Sequence, residues 1–178
     1  QGLEDKVREK TAGLEQKRRR LAALYDASAL IGAAGSLDEL AQGFVRKVRE
    51  IAHADAAALR WSDEDNEKYV MLASTGLPEA MSAEEHCLMA DQCNCGMPSA
   101  PPGARVIPIR ADHPTHLPHC EKAGFSTVVC VPVRHHEQIR GEIDLFFHAH
   151  YDLSEAERSL LEALATHLAA AMENLRLG

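Results

Sequence analysis

The chain has 178 residues, 46% hydrophobic, 26% charged and only 4% aromatic, the size and composition of one globular domain with some helical extension. Its net charge of −8 is unevenly spread: seven basic and four acidic side chains give residues 1–20 a net +3, which leaves −11 on the remainder. A body that acidic excludes a phosphate backbone as partner, so no nucleic acid is expected, and no apolar run approaches the ~20 residues of a membrane span, so no direct membrane insertion is expected.

The first element in the chain is a helix. Leu3, Val7, Lys10, Leu14, Lys17, Leu21, Leu24, Ser28 and Ile31 follow a strict 4-3 spacing, and six of the nine are apolar. That is a heptad seam, which asks for a parallel partner helix, so residues 1–30 are expected to be a coiled-coil linker of a homodimer. The basic side chains of this segment fit either an exit from an anionic membrane surface or a solvated helix face. Packing of the helix on its own domain is the competing reading, best suited to residues 21–31.

Ser36 and Glu39 in "GSLDEL" make a capping box ahead of a helix of about 16 residues, with Leu37, Leu40, Phe44, Val48 and Ile51 on one face. "DAAALRW" and "EKYVMLAST" read as two strands joined by the acidic loop "SDEDNE", an antiparallel hairpin. Ser82 and Glu85 form a second capping box, predicting a short helix over 82–90 with Cys87 on its second turn. From Asp91 to Pro118 the pattern is irregular and rich in proline, broken by the short strand "ARVIPI"; such a segment in a compact domain binds something or moves. "STVVCVPVRHHEQIRGEIDLFFH" is a second hairpin, whose last strand carries Ile143, Leu145 and Phe147 on one face. Ser154 and Glu157 cap a closing helix with an apolar stripe from Leu160 to Leu175, and no Gly or Pro stops it before Gly178, so it is expected to continue into a further segment.

"LAALYDASALIGAAGSLDELAQGFVRKVREIAHADAAAL" resembles the opening of a GAF domain, "FSTVVCVPVRHHEQIRGEIDLFF" its later strands, and "YDLSEAERSLLEALATHLAAAMENLRL" its final helix. More narrowly, "CNCG", "PHCEKAGF" and the leading heptads look like the cytoplasmic sensor region of nitrate/nitrite-sensor-type histidine kinases. The resemblance implies an α+β fold: an antiparallel sheet of about six strands flanked by helices, with a ligand cavity roofed by the irregular segment and long N- and C-terminal signalling helices. It divides the chain into a linker helix (1–30), the GAF sensor domain (31–154) and a helix (155–178) leading to a kinase core that this sequence does not contain. It also implies a homodimer through the terminal helices and a cytoplasmic location beside the inner membrane. No phosphoacceptor or ATP-binding motif follows residue 175, so the chain is expected to have no catalysis of its own.

The candidate ligands are Cys87, Cys93, Cys95 and Cys120, in the spacing C-x5-C-x-C-x24-C. Thiolates suit zinc and iron–sulfur clusters, although this is not the C-x2-4-C knuckle of structural zinc. Residues two apart in extended chain stand about 6.6 Å apart, whereas two sulfurs on one zinc with bonds of about 2.3 Å lie about 3.8 Å apart. Cys93-x-Cys95 must therefore pinch to chelate one ion, and left extended it suits a cluster better. Three readings stay open: a zinc or iron–sulfur site, redox-active thiols, or thiols with no special role. His113, His116, His119 and His86 are secondary candidates in mixed Cys/His ligation, with exposed loop histidines as the plainer reading. Cys130 reads as a small buried hydrophobe in "VVCVPV", and His135 and His136 as turn residues. Trp61, Tyr69 and Met71 read as core, with a cavity lining as the alternative. Five clustered cysteines indicate intracellular thiols and not a disulfide framework. Two further functions compete with the sensor: a free-standing GAF-like thiol oxidoreductase acting through Cys93 or Cys95, and a dimerisation module without a ligand.

Overall fold

The computed structural model describes residues 2–62, 68–84, 87–89, 103–109 and 118–177. The chain opens with α1 (Leu3–Ala33), a single helix of 31 residues. Its first two turns are wholly exposed, and Leu3, Val7, Leu14 and Leu21 of the heptad series all face solvent. From residue 20 onward α1 meets the body: Arg20 donates to the Ser159 hydroxyl at 2.9 Å, Ala23 and Ala27 are buried, and Leu24, Leu30 and Ile31 pack on the core. The reading of a helix packed on its own domain thus holds for its second half, while the heptad side chains of the first half stand exposed.

In α2 (Leu37–Ala52) the Ser36 hydroxyl accepts the Glu39 N–H at 3.2 Å, while Glu39 Oε2 accepts from the Gly35 N–H at 2.9 Å. The capping box is thus reciprocal, closing one residue further back than the usual partner. His53 ends the helix in the left-handed region at φ 54°. Leu40, Ala41, Phe44, Val45 and Val48 are buried against the sheet.

Among the described residues six strands form one antiparallel sheet: β1 (Ala56–Ser62), β2 (Lys68–Thr75), β3 (Cys87–Met89), β4 (Arg105–Pro108), β5 (Thr127–His135) and β6 (Gln138–Phe147). Their order is β3-β2-β1-β6-β5-β4, so β1 and β6 lie at the centre. Two short helices, α3 (Glu79–Glu84) and α4 (Pro118–Lys122), and the long α5 (Glu155–Leu177) complete the fold. This is the α+β architecture expected from the sequence. Ser154 caps α5 by accepting the Glu157 N–H, as its spacing indicated.

The helix expected over 82–90 is corrected. Helix α3 starts directly after Pro78, whose carbonyl accepts the Ser82 N–H at 3.0 Å, so Ser82 sits inside the helix and not at its cap. The apolar run Cys87–Met89 then pairs with the outer edge of β2, with Cys87 opposite Val70. Cys87 is therefore a strand residue.

The sheet separates two clusters. On one face α1, α2 and α5 cover Ala57, Leu59, Val129, Val131, Val133, Ile143, Leu145 and Phe147. The opposite face carries Ala56, Ala58, Met71, Val128, Cys130 and Phe146, roofed by Met81 of α3, Cys120 of α4 and Phe125. Met71 and Ala73 belong to opposite clusters although they are two residues apart, because the β1–β2 register slips between Leu59 and Arg60. At the β5–β6 turn His136 and Glu137 both have positive φ, the conformation of a primed hairpin turn.

Gly141 permits the central pairing. A Cβ there would stand 2.4 Å from the Arg60 carbonyl oxygen and 2.6 Å from the Trp61 ring. Replacing Gly141 with Ala should therefore destabilise the domain by about 1–3 kcal/mol, the range for overpacking a closed core, as read from urea unfolding.

Candidate functional site

Alternation along β1, β5 and β6 puts Arg60, Glu142, Asp144 and Cys130 on the face away from the long helices. Asp144 lies directly between Ala58 of β1 and Cys130 of β5, and Cys130 in turn faces Arg105 of β4. One step along the strands, Glu142 lies between Arg60 and Pro132. Glu142 is 0% exposed, Asp144 1% and Arg60 3%, so three formal charges are sealed in the middle of the molecule.

Arg60 Nε donates to Asp144 Oδ2 at 3.1 Å, diagonally across the central strand pair. Charge-assisted bonds of this kind are the strong ones, and they hold both side chains in place. Asp144 Oδ1, equally buried, accepts no hydrogen bond among the described residues. One ligand atom each from Cys130, Glu142 and Asp144 lie within 4.8 Å of one another, the only such group of three among the described residues. Ser62, at the end of the same row, donates to the Arg140 carbonyl at 2.9 Å, and the fully buried Tyr69 pairs with it across β1–β2.

The cysteine set expected as ligands is only partly within view. Cys93 and Cys95 lie outside the described residues, as do His86, His113 and His116. Cys87 is placed by its backbone in β3, and Cys120 is 3% exposed in the roof of the polar face, beside Met81 and Phe125. His119 is half-buried in α4. Cys130 is buried as expected, but its cross-strand neighbours are charged, not apolar. Met71 belongs to the polar face's cluster, whereas Trp61 packs on the helix side. Sequence reasoning missed Arg60, Glu142 and Asp144. The available signal was parity: Glu142 and Asp144 alternate with Ile143 and Leu145 in a strand whose other face ends in Phe146.

Helix α5 reaches the chain entering the edge of this site. Its Glu162 accepts the Ala104 N–H at 3.0 Å, and its Arg158 donates to the Ala104 carbonyl. Gly103, with φ 120°, brings the backbone close; a Cβ there would meet Glu162 Oε1 at 2.9 Å. A separate groove of about 1110 Å³ opens between α1, the end of α2 and the start of α5, bordered by Lys17, Arg20, Lys47, Asp26 and Tyr151. It lies on the helix side of the sheet, away from the buried charges.

The family model of the GAF domain matches residues 34–173. The chain belongs to the GAF domain family. Its fold is shared with the GAF domain of an Acinetobacter phosphoenolpyruvate-protein phosphotransferase (TM-score 0.75, 20% identity, covering 89% of this chain and 95% of that one). A GAF domain assigned to a sensor histidine kinase of Pseudomonas syringae pv. tomato superposes with a TM-score of 0.70 at 19% identity, covering 94% of each chain. The free methionine-R-sulfoxide reductase of Neisseria meningitidis, solved with its substrate, has a TM-score of 0.72 at 15% identity and covers 89% of this chain and 90% of that one. No curated protein matches this GAF domain at a significant level. Among the described residues no helix is long and apolar enough to cross a membrane.

Breaking the buried ion pair should be costly. Arg60→Met leaves Asp144 without its guanidinium partner and should lower unfolding stability by about 3–5 kcal/mol in urea at neutral pH.

Proposed function

We propose that this GAF domain is the sensor module of a two-component histidine kinase of the nitrate/nitrite-sensor type, held as a homodimer in the cytoplasm and without catalysis of its own. The observation that carries the reading is the clamp of α5 on Ala104. The same helix that would lead to a kinase core holds both main-chain groups of the residue preceding Arg105, which faces Cys130 in the buried site. An event at the polar face or in the cysteine-rich segment 87–120 thus has a short mechanical route to α5. Dimeric helices have a few discrete packings that such an event can bias.

In this reading the segment holding Cys87, Cys93, Cys95 and Cys120 is the sensing element, as ligands of zinc or an iron–sulfur cluster or as redox thiols. Cys120 supports it by standing in the roof of the polar face. The exposed Leu3, Val7, Leu14 and Leu21 supply the seam for the second copy, whose parallel α1 would cover them.

Two experiments test the proposal. Leu14→Glu with Leu21→Glu should convert the dimer to a monomer in sedimentation while leaving the circular dichroism of the body unchanged, since both side chains are exposed; a dimer that persists refutes the helical seam. In the full-length kinase, Cys93→Ser with Cys95→Ser should abolish the signal-dependent change in autophosphorylation, and Arg158→Ala with Glu162→Gln should reduce that change while leaving basal phosphorylation in place. Unaltered output in both variants removes the sensor reading. Turnover of a thiol or sulfoxide substrate by the isolated chain would replace it with that of a thiol oxidoreductase.

A further inference from the structure

We propose that Cys130, Glu142 and Asp144 form a binding site for one divalent transition-metal ion of the zinc, ferrous or cobalt class, separate from the cysteine-rich segment and independent of its role. The three ligand atoms already lie within 4.8 Å of one another. Ligands sharing one tetrahedral ion with bonds of about 2.0–2.3 Å stand about 3.3–3.8 Å apart, so small torsions in three side chains complete the set. All three residues are at most 1% exposed. That enclosure fits a bare ion and leaves no room for an organic ligand among them.

The arrangement of Asp144 points to a cation. Arg60 holds Oδ2 at 3.1 Å, and Oδ1 is buried without a hydrogen bond among the described residues. A carboxylate fixed on one oxygen by a neighbouring donor and bare on the other is the disposition of a metal ligand with its outer support in place. A buried polar atom left without a partner is destabilising, and an ion in contact with it removes that cost. Charge agrees: a thiolate and two carboxylates bring three negative charges into the interior, which a dication offsets together with the guanidiniums of Arg60 and Arg105 on the flanking strands. The thiolate selects against magnesium and calcium, which take oxygen ligands, and in favour of borderline ions that accept sulfur and carboxylate together. Binding would release the Cys130 thiol proton to solvent.

Cobalt(II) added to chelator-stripped, anaerobic protein is the probe, because a cobalt–thiolate bond gives a near-ultraviolet charge-transfer band. The band should appear in the wild-type chain, and one equivalent should bind with it in a chain whose Cys87, Cys93, Cys95 and Cys120 are all Ser, where Cys130 is the last thiol. In that four-serine background Cys130→Ser should lose the band and weaken cobalt binding, and Asp144→Asn should weaken it at least tenfold. Arg60→Gln, which touches only the outer support, should weaken it about 10–100-fold. A wild-type chain without the band overturns the inference. So does a Cys130→Ser change in the four-serine chain that leaves cobalt affinity unaltered. Loss of the band in the four-cysteine variant, with its circular dichroism intact, puts the ion in the cysteine-rich segment: the inference then falls and the sensor reading stands. Should Cys130→Ser fail to fold, the four-cysteine variant and Asp144→Asn decide the question between them.

Discussion

The pairing of β1 with β6 at the centre of the sheet is the constraint from which the rest follows. Six consecutive residue pairs, from Ala56 opposite Phe146 to Trp61 opposite Gly141, run without interruption. Unbroken pairing means unbroken alternation, so each strand is apolar toward the helices and carries charge toward the other face. A slip of one residue would send Glu142 and Asp144 under α2 and α5 and turn Ile143 and Leu145 outward. The Arg60–Asp144 bond secures that register, since it forms only when these two strands are correctly offset. Gly141 allows the strands to close at the end where a side chain would strike Arg60 and Trp61.

Buried charge in such a place is a weak source of stability and a strong source of specificity. Desolvating Arg60 and Asp144 consumes much of what their attraction returns. What the pair provides is position: a carboxylate oxygen held still in a dry interior, beside a thiol and a second carboxylate. The apolar stripe on the opposite face does the converse work, contributing most of the cohesion through Leu59, Ile143, Leu145, Leu164 and Leu168 without fixing any chemistry. One sheet thus carries its cohesion on one face and its buried charges on the other.

Much of the fold was legible in the sequence because its signals are local. Ser36 and Ser154 sit at helix starts because their hydroxyls answer N–H groups three residues on, and both hairpins announce themselves through runs of β-formers around polar turns. Ser82 misled because Pro78 sets an earlier start for α3, and a proline cannot be outvoted by a serine within the turn it begins. The buried charges were illegible for a different reason. A charged residue in a strand is solvent-facing unless something covers that face, and here the cover comes from Met81, Cys120 and Phe125, in segments whose sequences carry little periodicity. Cys130 shows the same limit. Its chain neighbours are Val129 and Val131, yet its environment is set by Asp144 and Arg105 on other strands.

The clamp on Ala104 also runs in reverse. Coupling free energy between two places in a molecule is shared, so a factor by which occupancy of the polar face alters the packing of α5 is the factor by which the packing of α5 alters that occupancy. In the proposed sensor, Glu162 and Arg158 would therefore transmit in both directions. Under the proposed sensor role, whatever held α5 would tune the threshold of the site, and the sensitivity of the domain would be a property of its assembly as much as of the polar face.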